Sequence, residues 1–231
     1  MISNAYRAQV DLLLQVLPHV MKEEAFALKG GTAINLFVRD MPRLSVDIDL
    51  TWLPFDDRTT ALDGITDALR RVKERVEKDI PQSRVKLAPQ SDGQETKLNI
   101  QTPTAQIKVE VNTLIRGSLL PPVRMRVVEA TETEFGLSAS ANVVSHAELF
   151  GGKICAALDR QHPRDLFDVQ LMLDNEGLTD EIRMGLIAGL LSHSRPIHEM
   201  LQPNFLDQRK VFESQFDGMA FTPFTYEGIL K

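Results

Sequence analysis

The chain has 231 residues, 43% of them hydrophobic and 25% charged, enough for a substantial core in one larger domain or two small ones. Its only cysteine, Cys155, rules out a disulfide framework or a cysteine-based zinc site and fits a reducing compartment, so the cytoplasm is the expected location. A formal net charge of -6 argues against a surface that binds nucleic acid everywhere by neutralising phosphates, while leaving local basic patches open.

The N-terminal segment has no basic region ahead of its apolar stretch. No run in the chain approaches the ~18 apolar residues of a membrane span, so a soluble protein without a membrane partner is expected. Residues 5–24 place Val10, Leu13, Leu14 and Leu17 at helical spacing, which predicts an amphipathic helix with a bend where Pro18 removes a backbone donor. Phe26-Ala27-Leu28 then enters Lys29-Gly30-Gly31-Thr32 and AINLFV, a strand, tight turn and helix that Met41-Pro42-Arg43 closes. From Ser45 to Leu53 acidic and apolar positions alternate, as in a strand bordering a cleft. Residues 57–80 carry the helical stripe Leu62, Ile65, Leu69, Val72 and Val76, stopped by Pro81. Within that helix Arg70, Arg71, Lys73 and Arg75 interleave with acids, as on a solvated face; Arg124 and Arg126 form a second basic pair.

Strands are predicted at 84–87, 97–100, 107–112 and 123–128, with turns at SDGQ and TPT. Ser145 with Glu148 is a capping box for a helix to about Arg160, and Pro163 opens the next at its first turn. The fold expected is α+β: a mixed sheet flanked by helices over residues 1–140, followed by a mostly helical part over 141–231. The closing segment FTPFTYEGILK is poor in helix signals, and a C-terminus cut short is expected.

Chemistry concentrates in Lys29-Gly30-Gly31-Thr32 and Arg43-Leu44-Ser45-Val46-Asp47-Ile48-Asp49-Leu50. Residues two apart on a strand share a face, so Asp47 and Asp49 project together and need a hard divalent cation such as Mg2+ to offset their repulsion. Gly30 and Gly31 allow successive amides to aim at an anion, and the following helix start adds partial positive charge. Thr32 offers a hydroxyl and Lys29 or Arg43 a cation to the same phosphates. Metal on one side and amides on the other suits phosphoryl transfer, which depends on positioning and charge stabilisation. Singly, alternating acids suit a half-exposed strand and a glycine pair suits an ordinary turn; within one short unit they point to a site.

A two-metal site needs a third carboxylate, and Glu110 in Ile107-Lys108-Val109-Glu110-Val111 supplies one that also suits accepting the acceptor hydroxyl's proton. An exposed Lys/Glu strand face explains the same pattern. Farther on, Lys153 and Arg160 stand two helical turns apart, and Arg164 with Asp168 makes an i,i+4 pair. Two readings remain for them: ion pairs of Arg164 with Asp165 or Asp168 that pin two helices, or Lys153 and Arg160 reaching the phosphates of an NTP. His162, alone before a proline, does not read as a metal ligand.

Taken together, KGGTAINLF, RLSVDIDL, IKVEVN and LFGGKICAALDRQHPRDLFDV resemble the AbiEii/AbiGii family of nucleotidyltransferase toxins over residues 26 to about 170. The resemblance implies a polymerase-β-like nucleotidyltransferase core, Mg2+ (or Mn2+) with an NTP substrate, and a cognate antitoxin encoded alongside. It places Gly31 and Thr32 on the phosphate turn, Asp47 and Asp49 on the metal ligands, and Lys153 and Asp165 on a later motif. It further implies the tRNA 3′ end as acceptor, and a chain longer at the C-terminus than this one. A protein or small-molecule acceptor, and a non-catalytic NTP-binding module, are the rival readings.

Overall fold

The amphipathic pattern of the first segment forms α1 (Asn4–Val20), whose Val10, Leu13, Leu14 and Leu17 are buried. The second stripe forms α3 (Arg58–Asp79), with Leu62, Ile65, Leu69, Val72 and Val76 inward and Asp57 capping its N-terminus. The computed structural model describes residues 3–89 and 93–229; the turn expected over residues 91–94 begins outside them.

Between and beyond these helices runs a mixed seven-stranded sheet: β1 (Phe26–Lys29), β2 (Asp47–Trp52), β3 (Arg84–Ala88), β4 (Lys97–Gln101), β5 (Gln106–Arg116), β6 (Val123–Arg126) and β7 (Ser140–Val143). Their order is β3-β4-β5-β2-β1-β7-β6. The pairs β2/β5 and β1/β7 are parallel and the rest antiparallel. Ile48, Leu50, Val109, Leu98 and Ile100 are buried, and α1 and α3 pack on the sheet. Four basic residues of α3 have acidic partners: Arg71 and Arg75 both reach the buried Glu23, Arg70 pairs with Asp67 and Lys73 with Glu77.

Two elements escape the sequence periodicity. Where a strand to residue 128 is expected, β6 stops at Arg126 and α4 (Glu129–Phe135) follows, ended by Gly136 at φ 64°. β7 is only four residues long, and its place in the sheet depends on pairing with β1 and β6 rather than on its own pattern.

The sheet ends at Val143, and helices take over from α5 (His146–Arg160), where Ser145 Oγ accepts from the Glu148 amide as the capping box requires. Pro163 opens α6 (Pro163–Asn175), and α7 (Asp180–Leu191) lies against α5. Those two helices approach so closely that a Cβ on Gly185 would enter the Ala147 backbone and one on Gly151 the Gly185 backbone. The remaining short helices are α8 (Ile197–Leu201), α9 (Arg209–Gln215) and α10 (Tyr226–Ile229), the last within the segment read as poor in helix signals. Phe167 of α6 meets Phe216 and Phe224 in an aromatic cluster that ties this end of the chain to α6.

Candidate active site

The glycine turn opens α2 (Gly30–Ala33), which widens into a single π-helical turn over Ile34–Val38. Gly30 sits at φ 72°, a left-handed conformation that disfavours a side chain, and a Cβ there would collide with the Asp49 carboxylate. The turn and the acidic strand are therefore in direct contact. The first amides of a helix have no intrahelical carbonyl to bond, so this turn is suited to an anion lying beside Asp49.

On β2, Asp47 and Asp49 share the partly exposed face while Ile48 and Leu50 are fully buried. The register aligns Lys29 of β1 with Asp49, Glu110 of β5 with Asp49, and Lys108 of β5 with Asp47. Glu110 thus lies beside the aspartates on the neighbouring parallel strand. Its carboxylate, however, pairs with Lys97 of β4, the residue in register with it on the other side, which counts against a role as free base.

Asp49's carboxyl is held above the usual carboxylate range by burial and then by the charge of Asp47, with Lys153 and Lys29 pulling the other way. Burial pushes the Lys29 ammonium below its ordinary range, against the charges of Asp49 and Glu148. Lys29, Gly30, Asp49, Glu110, Lys153 and Arg160 all border one cavity of about 350 Å³.

Behind the turn lies a buried charge network, and it redirects several expectations. Arg43, expected to offer charge to phosphates, is 1% exposed and donates to both Asp168 oxygens, from Nε at 2.8 Å and Nη2 at 2.6 Å. It underlies Gly31, where a Cβ would stand 2.7 Å from its Nη2. Asn35, in the π turn, donates to the Gly31 carbonyl and to Asp168, linking turn to network. Thr32, expected at the phosphates, is fully buried, and its hydroxyl donates to the Asp47 carbonyl at 2.5 Å, fastening turn to strand.

Lys153 Nζ lies 2.8 Å from Asp165 and 3.1 Å from Asp168, and Asp165 also accepts from Arg160 Nε at 2.6 Å. Both aspartates are held below the usual carboxylate range: burial opposes this, but Lys153 and Arg160 prevail at Asp165, and Arg43 and Lys153 at Asp168. The helix-pinning reading therefore describes Asp165 and Asp168 with different partners than expected. Arg164 pairs with neither, reaching Asp47 instead at 3.6 Å, so the expected Arg164–Asp168 pair is not formed. His162 caps α6 through Nδ1 and meets Gln215 through Nε2, with burial lowering its pKa.

Sequence reasoning missed Asn35, which nothing but its position in the π turn marks out. It also missed Asp159 and His193, which line the same cavity from α5 and from just beyond α7; their proximity depends on helix packing that no local spacing encodes.

Among the described residues, no group of three or more acidic, histidine or cysteine side chains is gathered to hold a metal. The chemistry of the donors still suits one. Two carboxylates project from one strand face, and the charge of Asp47, which adds to burial in raising Asp49, would be offset by a divalent cation.

A family model described as "Nucleotidyl transferase AbiEii toxin, Type IV TA system" matches residues 11–223. Among curated proteins, a sequence search finds no match. MenT4, a nucleotidyltransferase toxin from Mycobacterium tuberculosis H37Rv, is similar in structure with a TM-score of 0.62 at 17% identity, over 88% of this chain and 74% of that one; such a likeness is one of fold. JHP933 from Helicobacter pylori matches with a TM-score of 0.46 at 15% identity, over 87% of this chain and 89% of that one.

Proposed function

We propose a reaction for this chain, which belongs to the AbiEii family of nucleotidyltransferase toxins of type IV toxin–antitoxin systems and is a nucleotidyltransferase: Mg2+-dependent transfer of NMP from an NTP to the 3′ end of tRNA, releasing pyrophosphate. The observation that carries the reading is the contact between the Gly30 turn and Asp49, with Asp47 on the same strand face and Glu110 in register.

Asp47 and Asp49 hold the cation, Mg2+ or Mn2+, and Glu110 supplies a third oxygen donor once released from Lys97. The cation would draw negative charge off the α-phosphate and off the leaving pyrophosphate. The Gly30 and Gly31 amides cradle the triphosphate, and Lys29 and Lys153 add positive charge to the same cavity. Arg160, more exposed than its partner Asp165, meets the outer phosphates. Asp165 and Asp168 orient the lysine and the turn without touching the nucleotide. In the transfer, the acceptor oxygen bonds to the α-phosphorus, the bond to the bridging oxygen breaks, and pyrophosphate leaves with the electron pair. The hydroxyl proton passes to solvent water. The residue span 1–140 serves as the catalytic core, and 141–231 as the part that closes over the NTP.

No helix among the described residues is long and apolar enough to cross a membrane, and a cytoplasmic site of action would give the protein NTPs, tRNA and the product of its cognate antitoxin gene. The test is transfer of label from α-labelled NTPs to purified tRNA with Mg2+. Asp47→Ala and Asp49→Ala should each lose at least ~100-fold in rate, the scale of removing a main electrostatic element of a phosphoryl-transfer site. Parent-level transfer by either variant refutes the mechanism, and labelling confined to protein removes the tRNA acceptor.

A further inference from the structure

Asp47 and Asp49 share a strand face, yet each opens on a different cavity. Asp49 borders the 350 Å³ cavity that holds Gly30, Lys29 and Lys153. Asp47 borders another, of about 370 Å³, with Lys108, Arg164, Gln106, Gln215 and Tyr6 in its wall. The two lining sets have no residue in common. Transfer of a phosphoryl group brings attacking and leaving oxygens roughly into line on opposite sides of phosphorus, so two substrates must approach one site from two directions. Two separate cavities, one at each aspartate, offer two such approaches.

The second cavity is unlike the first in charge. Its lining carries two cations, Lys108 and Arg164, against the single carboxylate of Asp47. Lys108 is exposed, and its ammonium makes no salt bridge or hydrogen bond among the described residues. Arg164 holds Asp47 only at 3.6 Å, longer than a direct hydrogen bond, so its planar fork is not committed. When a cation engages Asp47, Arg164 loses its present partner while remaining beside the reacting centre. Both residues then border a groove that Gln106, Gln215 and Tyr6 also line.

We propose that this cavity is the acceptor subsite, in which Arg164 and Lys108 hold the phosphodiester next to the acceptor's terminal hydroxyl and so bring that hydroxyl to Asp47. The subsite takes the 3′ end of a single-stranded nucleic acid. It rests on the nucleotidyl-transfer reading for its chemistry, though not for its binding prediction. Counterion release makes binding measurable contact by contact: log affinity falls with log salt by ~0.7 per phosphate neutralised on a single strand.

The test uses the full chain with a short fluorescein-labelled RNA bearing a free 3′ hydroxyl, followed by anisotropy across a salt series. DNA of the same sequence serves as the second probe, and NTP affinity is measured by calorimetry on the same samples. Lys108→Gln, at an exposed position that folding does not depend on, should weaken RNA binding roughly tenfold and lower the salt slope by ~0.7, with NTP affinity unchanged. Arg164→Lys, which keeps the charge and loses the fork, should weaken binding with a smaller change of slope. Comparable losses on DNA support recognition of the phosphate itself.

An unchanged RNA affinity and slope in Lys108→Gln overturns the subsite, as does a parent protein that does not bind the RNA. So does a joint loss of RNA and NTP affinity, which a merely structural effect would produce. Label transfer in the same samples separates the two readings. A parent that binds RNA with the expected slopes and transfers no label defeats the reaction and spares the subsite. A parent that transfers label, with an unchanged KM for RNA in Lys108→Gln, does the reverse.

Discussion

Removing Asp168 isolates the energetic part of the network behind the glycine turn. Its carboxylate is 1% exposed and is met by Arg43 Nε and Nη2, by Asn35 Nδ2 at 3.1 Å and by Lys153 Nζ at 3.1 Å. In Asp168→Ala, Lys153 retains Asp165, whereas Arg43, itself 1% exposed, retains only the Leu44 carbonyl. A buried charge deprived of its partner costs about 3–5 kcal/mol. At ~2–4 °C per kcal/mol for a chain of this length, the melting temperature should fall by roughly 6–20 °C.

Calorimetry or thermal circular dichroism reads this directly. Asp180→Ala, which removes the fully solvated partner of Arg183, is the control and should not move the transition measurably. The double variant Arg43→Met/Asp168→Leu should recover much of the loss, because neither charge is then left unpaired. The effect also has a signed pH dependence. Asp168's folded pKa lies below its ordinary 3.8, so its stabilisation is present above that value and is lost as the pH falls toward the folded pKa. The gap between parent and Asp168→Ala should accordingly narrow below about pH 4. A drop under ~2 °C at neutral pH would show that the ion pair does not hold the turn, and the reasoning from burial would fail.

Four further outcomes follow from the same geometry. Asp49's carboxyl is held above its ordinary range, so its ionised form opposes folding once the pH rises past that range; metal-free Asp49→Asn should melt higher than the parent at pH 7 while losing transfer activity, and a lower melting temperature would contradict the cost assigned to burying that charge beside Asp47. Mg2+ should raise the parent's melting temperature and leave that of Asp49→Asn unmoved, with equal shifts in both counting against the metal ligands. Gly30→Ala should lose ~1–2 kcal/mol from its left-handed backbone and also NTP affinity, because the new methyl meets Asp49; calorimetric titration showing parent-like binding would refute the close approach. Gly185→Ala should destabilise by about 1–3 kcal/mol in urea titration by parting α5 from α7, and a neutral result would mean those helices can separate freely.

Asp47, Asp49 and the glycine turn were legible in the chain because each depends on local geometry. Residues two apart on a strand share a face whatever surrounds them, and a glycine pair before a helix signals its turn by composition alone. The stripes of α1 and α3, and the capping box and proline at the starts of α5 and α6, were legible for the same reason. Glu110's position on a strand could be read, but not its pairing with Lys97, which depends on β4 and β5 aligning in register. Composition offers the Thr32 hydroxyl and the Arg43 cation to the phosphates, since both lie near the turn in sequence. The tertiary structure turns them inward, since a buried Asp168 from α6 demands a guanidinium and the Asp47 carbonyl a hydroxyl.

Arg164 shows the same limit from the other side. Helical spacing offers it Asp168, but Arg43 and Lys153 already occupy that carboxylate, leaving Arg164 to Asp47 across the fold. Local periodicity sets which way a side chain leaves its own element. Its partner is chosen by the charges that other elements bring to the same place, and burial makes that choice steep.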